Sequence, residues 1–235
     1  MFTVRWKSAR GQTVLGLLVI PLLCLASGAF GQVAPTCNVG SPTGLNSPFG
    51  CNDPYHVSYY GNANSGLPSA QVNIVNPGSL AGYSQHDAHP PVGDLCANVY
   101  VFVSDQQMTE CCSCLITPNG NLQLSVDNDL TANPYTTDPP KAGDIKIVSS
   151  AAAGLSCTGT AGLPFAALPY TPAGTLLEWI THSRPTTASL VTVTETAFHP
   201  TFLIQQEQQK LVNQCYTIWT NGTGHGRCTC GATPK

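Results

Sequence analysis

The cysteines constrain this chain more than any other feature of its sequence. Ten of the eleven cysteines follow residue 31, and they are Cys37, Cys51, Cys96, Cys111, Cys112, Cys114, Cys157, Cys215, Cys228 and Cys230. An even number of cysteines in an exported chain predicts a framework of up to five disulfides. Ten cysteines can pair in about 945 ways, so their connectivity stays open. We therefore expect a fold in which covalent links join distant segments.

The N-terminal segment indicates that the chain is exported. Basic residues precede an apolar run over 14–25, and small residues follow it. This order is typical of a secretory signal peptide, here residues 1–31, with cleavage expected after Gly31 or, alternatively, after Ala29. An uncleaved membrane anchor over 11–30 is a further alternative. We expect the mature protein to be secreted or to lie in the cell envelope, with no membrane span.

Charge and composition argue against nucleic acid as a partner. Loss of the leader would remove three of the nine basic residues and none of the twelve acidic ones, leaving a net charge of about −6. The remaining basic residues are scattered, so they form no stripe that could follow a phosphate backbone. The chain is poor in charge and rich in Asn, Ser, Thr, Gly and Pro, as extracellular β proteins with many turns are.

Apolar patterns predict a mainly β fold. The run 95–103 is almost wholly apolar, and together with 108–117 it predicts a hairpin whose first strand is covered on both faces. Alternating or β-branched patterns predict further strands at 71–75, 122–126, 144–149, 176–182 and 190–198.

Only one segment predicts a helix, from Thr201 to Gln214 directly after Pro200, a residue that suits a helix start. The glycine-rich stretch that follows predicts a hairpin with strands at 215–220 and 227–230. Taken together, the patterns predict one domain over 71–235. It is expected to be a disulfide-stabilised, β-sandwich-like domain with one α-helix in its C-terminal half. Residues 32–70, rich in Pro, Gly and Asn, are expected to form an irregular arm.

The clustered cysteines raise the question of a metal or redox site. In a reducing compartment, Cys111, Cys112 and Cys114 with Cys228 and Cys230 would suggest zinc or an iron-sulfur cluster. In an exported chain disulfides are favoured. Residues two apart in a strand point to the same face, so Cys112 and Cys114 can each bond a different neighbour while Cys111 faces away.

A second candidate metal site lies in the segment His86-Asp87-Ala88-His89. Two imidazoles and a carboxylate within four residues can hold zinc, copper or nickel. A closed site needs further ligands, which His56, His182, His199 or His225 could supply only through the fold. The alternative is a polar loop without a metal.

Three runs carry a resemblance, and they are LCANVYVF at 95–102, QQMTECCSC at 106–114 and GHGRCTCG at 224–231. Through them the chain resembles a family of uncharacterised bacterial secreted cysteine-rich proteins over most of 71–231. The resemblance implies a shared disulfide-rich secreted domain. It implies no activity, cofactor or site residue.

These observations favour an exported binding or structural module over an enzyme. Its expected partner is a carbohydrate or a surface protein, stacked on aromatic side chains such as Tyr55, Tyr59, Tyr60, Trp179 and Trp219. The alternative is a secreted metal-binding protein or metallo-hydrolase that uses the His86 to His89 segment. No catalytic residue and no cofactor are predicted.

Overall fold

The computed structural model describes residues 54–78, 93–187 and 190–231. Within them the chain is mainly β, and it has one α-helix near its C-terminus, as predicted. The elements are β1 Tyr55–Tyr60, β2 Gln71–Val75, β3 Leu95–Val103, β4 Met108–Ile116, β5 Asn121–Ser125, β6 Gly143–Ala151, β7 Leu177–Thr187, β8 Leu190–Ala197, β9 His199–Pro200 and α1 Gln205–Thr220. No helix of the described residues is long and apolar enough to cross a membrane.

Two antiparallel sheets make up the fold. The larger sheet has the strand order β4-β3-β6-β1-β9, and the smaller sheet has the order β5-β2-β7-β8. Alternate residues of the two sheets form one buried apolar cluster, in which Val72 and Ile180 of the smaller sheet join Val99 and Ile147 of the larger. The period of two along each strand produces this packing, because it places every second side chain on the same face.

The central strand β3 is covered on both faces, as its apolar run predicts. Val99 and Val101 face the smaller sheet, whereas Tyr100 and Phe102 face a second buried cluster. That cluster includes Leu211 of α1. The helix therefore forms a third layer, packed on the outer face of the larger sheet.

The prediction of an irregular arm over 32–70 is wrong for β1. Tyr55–Tyr60 pairs with β6 over its whole length and with β9 at its start. Its inward residues include His56 and Ser58, which are polar but buried. Because apolar alternation is interrupted at those two positions, the sequence pattern concealed a strand. Residues 32–53 lie outside the described residues.

The predicted C-terminal hairpin is also wrong. Residues 215–220 continue the helix, which runs from Gln205 to Thr220 and so begins and ends later than expected. Leu211, Cys215 and Ile218 lie on one buried face at helical spacing. Packing of that face against the larger sheet outweighs the weak strand preference of the aromatic and β-branched residues there.

The C-terminal residues after α1 cover one side of the sandwich. Gly226 accepts a hydrogen bond from the Cys111 N–H of β4, with an N to O distance of 2.9 Å. Thr229 donates its N–H to the Asp129 carbonyl just beyond β5, at 3.0 Å. This segment, 226–231, thus spans the β4 edge of one sheet and the β5 end of the other. We call the side of the sandwich that this segment covers, bounded by β4 and β5, the closed side. The opposite side, bounded by β1, β9, β7 and β8, is the open side.

Candidate functional site

Eight of the predicted disulfide cysteines lie in the described residues, and all eight are bonded. The pairs are Cys96–Cys157, Cys111–Cys215, Cys112–Cys228 and Cys114–Cys230. Cys112 and Cys114 both face the core between the sheets, and Cys111 faces the helix. Cys37 and Cys51 lie outside the described residues, as do His86, Asp87 and His89, so the metal site remains a prediction.

One group of sulfur atoms has a spacing that could suit a metal. The sulfurs of Cys112, Cys114 and Cys230 lie within 4.8 Å of one another. Each of them is bonded to another sulfur, however, and a metal ligand must be a free thiolate. In this oxidised form the cluster fastens the closed side and is not a metal centre.

A buried contact between a histidine and a glutamate joins the two sheets on the open side. His56 Nδ1 of β1 lies 2.5 Å from Glu178 Oε2 of β7, and the two side chains are 10% and 2% exposed. The second carboxylate oxygen of Glu178 is buried without a hydrogen-bond partner. With so little solvent access the pair does not meet a ligand, and its role is to hold β1 against β7.

Beside this pair, Tyr59 and His182 form a stacked platform. Their ring centroids are 4.4 Å apart and the ring planes differ by 16°. His182 Nε2 is hydrogen-bonded to Thr196 Oγ1 at 2.8 Å, which fixes the imidazole from behind. Burial, and then the positive charge of Arg184, lowers the pKa of His182, so the ring is neutral at neutral pH. Tyr59 is 49% exposed and presents its ring to solvent.

Two depressions adjoin Tyr59, which lines both of them. The larger is an open groove of about 710 Å³, bordered by Asp144, Lys146 and the 80% exposed Phe202. The smaller, of about 370 Å³, is lined by Asn62 and Arg184 together with His182. The open side therefore offers an aromatic surface with polar groups on either side of it.

The polar groups of the larger groove are held in place. Lys146 Nζ lies 2.6 Å from Glu207 Oε1 and 4.7 Å from the centroid of the Phe102 ring. The ammonium group is thus fixed between a helix carboxylate and an aromatic face. In the smaller depression, Asn62 Nδ2 donates to the Ser183 carbonyl at 2.9 Å and links the end of β1 to β7.

The five aromatic residues singled out from the sequence differ in exposure and in their contacts. Tyr55 and Tyr60 are buried, and only Tyr59 of the three is strongly exposed. Trp219 is half-buried, donates its indole N–H to the Cys111 carbonyl at 3.1 Å, and carries the Arg227 guanidinium over its ring. Trp179 is half-buried on the outer face of the smaller sheet. Neither tryptophan lines the depressions, so the expectation that a partner stacks on Trp179 and Trp219 gains no support there.

Sequence reasoning missed Phe202, Lys146 and Arg184 as site residues. Phe202 falls in the segment expected to be helical, where an aromatic residue would normally face the core. The two basic residues belong to strands, and nothing local shows that strands so distant in sequence meet at Tyr59. Only the tyrosine cluster at 55–60, of which Tyr59 is the strongly exposed member, was a usable signal.

A buried carboxyl group on the closed side completes the list of candidates. Glu110 of β4 is fully buried, and burial raises its pKa to about 7. Its Oε1 accepts the Asn133 N–H at 2.9 Å, and this bond lowers the pKa in part, while Oε2 has no partner. Glu110 lines neither depression, so it bears on stability and not on binding.

No protein-family model, curated protein or solved structure matches this chain.

Proposed function

We propose that the protein is an exported binding module that holds a carbohydrate against Tyr59 on the open side. The observation that carries this proposal is the half-exposed Tyr59 ring, stacked on His182 and flanked by two depressions. A platform backed by a fixed ring is ordered before any ligand arrives, so binding costs little conformational entropy there.

The chemistry around Tyr59 suits a sugar ring. One face of a pyranose is lined by C–H groups and stacks on an aromatic ring, while its hydroxyls require donors and acceptors around the edge. Asn62 and Arg184 provide donors on one side, and Asp144 and Lys146 provide an acceptor and a donor on the other. Acidic and basic groups occur together here, which favours a neutral sugar over a strongly charged one.

The shape of the site favours binding over catalysis. Both depressions are open to solvent, whereas catalytic groups with shifted pKa values are usually enclosed. The carboxyl group with the clearly raised pKa, Glu110, lies on the other side of the sandwich. The buried His56 and Glu178 pair does not line the depressions.

A glycan array followed by titration calorimetry tests the carbohydrate proposal. We expect Tyr59→Ala to weaken binding of the selected glycan at least about tenfold, since loss of a stacking ring costs roughly 1.4 kcal/mol or more. Tyr216→Ala is the matched control, because Tyr216 on α1 is 48% exposed and lies outside both depressions. Binding that survives Tyr59→Ala, or no glycan bound at all, would contradict the proposal.

We also propose that residues 1–31 direct export and are removed. The four disulfides of the described residues are compatible with an oxidising compartment. The intact mass of protein recovered from an oxidising compartment tests this directly. A chain that starts at Gln32 or Phe30 is the expected result, and a full-length mass would contradict it.

A further inference from the structure

The strand β8 lies at an edge of the smaller sheet, and no strand of the described residues covers that edge. Among the described residues it is paired with β7 alone, at the end of the order β5-β2-β7-β8. All of its residues except Val191 are exposed, including Leu190 at 55% and Val193 at 56%. Exposure of consecutive residues means that both faces of the strand, as well as its outer edge, are open to solvent.

The sequence of β8 does nothing to prevent another strand from pairing with it. Natural edge strands carry Lys, Pro or a bulge that blocks strand addition. Leu-Val-Thr-Val-Thr-Glu-Thr-Ala has none of these, and its ladder with β7 is regular from Val191 to Ala197; the one register shift lies at the turn end, between Pro185 and Thr187 of β7. Five of its eight residues are Val or Thr, the types that favour strands, and four of them are consecutive, from Val191 to Thr194. The edge is therefore suited to strand addition.

The occupant that fits this edge best is a second copy of the same strand. Antiparallel pairing about a twofold axis at Val193 places Val193 opposite the partner's Val193 and Thr192 opposite the partner's Thr194. Glu195, the one charged residue of β8, then lies opposite the partner's Val191. The same register keeps like charges apart and matches Thr with Thr, so the strand is complementary to itself.

We propose that β8 is a self-association strand, through which two copies of the protein form a symmetric dimer with one continuous eight-stranded sheet. Backbone hydrogen bonds along β8 supply most of the contact, and the paired Val193 side chains lie at its centre. An interface built from one strand edge is small, so the dimer is weak and its population depends on protein concentration.

Sedimentation velocity on the disulfide-intact protein, from low micromolar to near-millimolar concentration, tests the proposal. We expect a monomer to dimer transition for the natural chain. Val193→Lys and Val193→Glu are each expected to weaken dimerisation at least about tenfold, because the axis places the new charge opposite its own copy. An equimolar mixture of the two variants is expected to form a heterodimer, since Lys then faces Glu.

Leu155→Lys is the matched control, because Leu155 is 69% exposed and lies far along the chain from β8. It is expected to leave the transition unchanged. A natural chain that stays monomeric over the whole range, a dimer that persists in Val193→Lys, or a mixture that fails to associate would each overturn the proposal. Thermal unfolding of every variant excludes loss of fold as the cause.

Discussion

The strands β4 and β8 each lie at an edge of their sheet, but among the described residues another segment covers only the edge of β4. Segment 226–231 runs beside β4, a main-chain hydrogen bond joins them, and disulfides from Cys112 and Cys114 hold the segment there. β8 has a partner on one side only among the described residues and exposes nearly every side chain. Two of the four described disulfides therefore cover the β4 edge, whereas no described disulfide reaches β8, whose edge is available for contact.

The open side is held by a different kind of interaction. Where the closed side uses disulfides, the open side uses the buried pair of His56 and Glu178, the stack of Tyr59 on His182 and the bond from Asn62 to Ser183. These contacts are polar, and all three join β1, or the residues just after it, to β7. We therefore expect the free energy of unfolding to respond differently on the two sides to loss of a polar partner, to pH and to removal of disulfides.

The largest effect is expected from His56→Ala on the open side. This change leaves the Glu178 carboxyl group buried without its partner, and removal of one member of a buried pair costs about 3 to 5 kcal/mol. Denaturant unfolding measures the loss. The double variant His56→Phe with Glu178→Leu is the control, because apolar side chains of similar size are expected to recover most of the stability. Equal losses in the single and double variants would contradict the assignment of this stability to the contact between His56 and Glu178.

Raising the pH is expected to destabilise the closed side through Glu110. Its pKa is raised from 4.5 to about 7 in the folded protein, so the folded state binds the proton more tightly than the unfolded chain. The stabilisation is complete below about pH 4.5 and is lost as the pH rises to about 7, and it amounts to something on the order of 3 kcal/mol. Unfolding measured at several pH values detects it. Glu110→Gln should remove this part of the pH dependence, and an unchanged profile would refute the assignment.

Disulfide removal on the closed side is expected to be strongly non-additive. Replacing Cys112 and Cys228 by Ser costs little while Cys114–Cys230 still holds the same segment. After removal of both bridges, the nearest remaining link between segment 226–231 and β4 is the Cys111–Cys215 disulfide of α1. A loop of about 15 residues is then no longer closed, and the free energy of unfolding falls by at most about 3 kcal/mol. Denaturant unfolding of the variant that lacks Cys112–Cys228, the variant that lacks Cys114–Cys230 and the variant that lacks both separates these cases. Additive losses would mean that each bridge acts independently.

The smallest effect is expected in β8. Val193→Lys should change the free energy of unfolding of the monomer by less than about 0.5 kcal/mol, because Val193 is 56% exposed. Thermal unfolding at low protein concentration, below the dimer range, measures this. A loss of several kcal/mol would show that β8 supports the fold, and the contrast between the two edges would fail.

Much of the fold was predictable from sequence because it rests on local periodicity. The runs at 71–75 and 95–103 match β2 and β3 residue for residue, since their inward positions are apolar. β1 was missed because His56 and Ser58 are polar and still face inward. The final turns of α1 were missed because 215–220 prefers strands in isolation and becomes helical through the Cys111–Cys215 link and core packing.

The candidate site was much less predictable than the fold. Tyr59 and His182 are more than a hundred residues apart in sequence, and only the pairing of β1 with β6 and the packing of β7 bring them together. The cysteine partners are equally non-local. Local patterns report the face on which a side chain lies, but they do not report which distant strand it meets.

Because the chain is made from its N-terminus to its C-terminus, the cysteines of β4 emerge long before the cysteines with which they pair. Cys111, Cys112 and Cys114 leave the ribosome 104 to 116 residues ahead of their partners. Synthesis adds about 5 to 20 residues per second, so these three cysteines are without their partners for roughly 5 to 20 s. During that time the thiols nearest to them along the chain are one another's and that of Cys96. Non-native disulfides can therefore form before the native ones. Efficient production of this protein is expected to require a disulfide isomerase that reopens early errors once residue 230 has emerged.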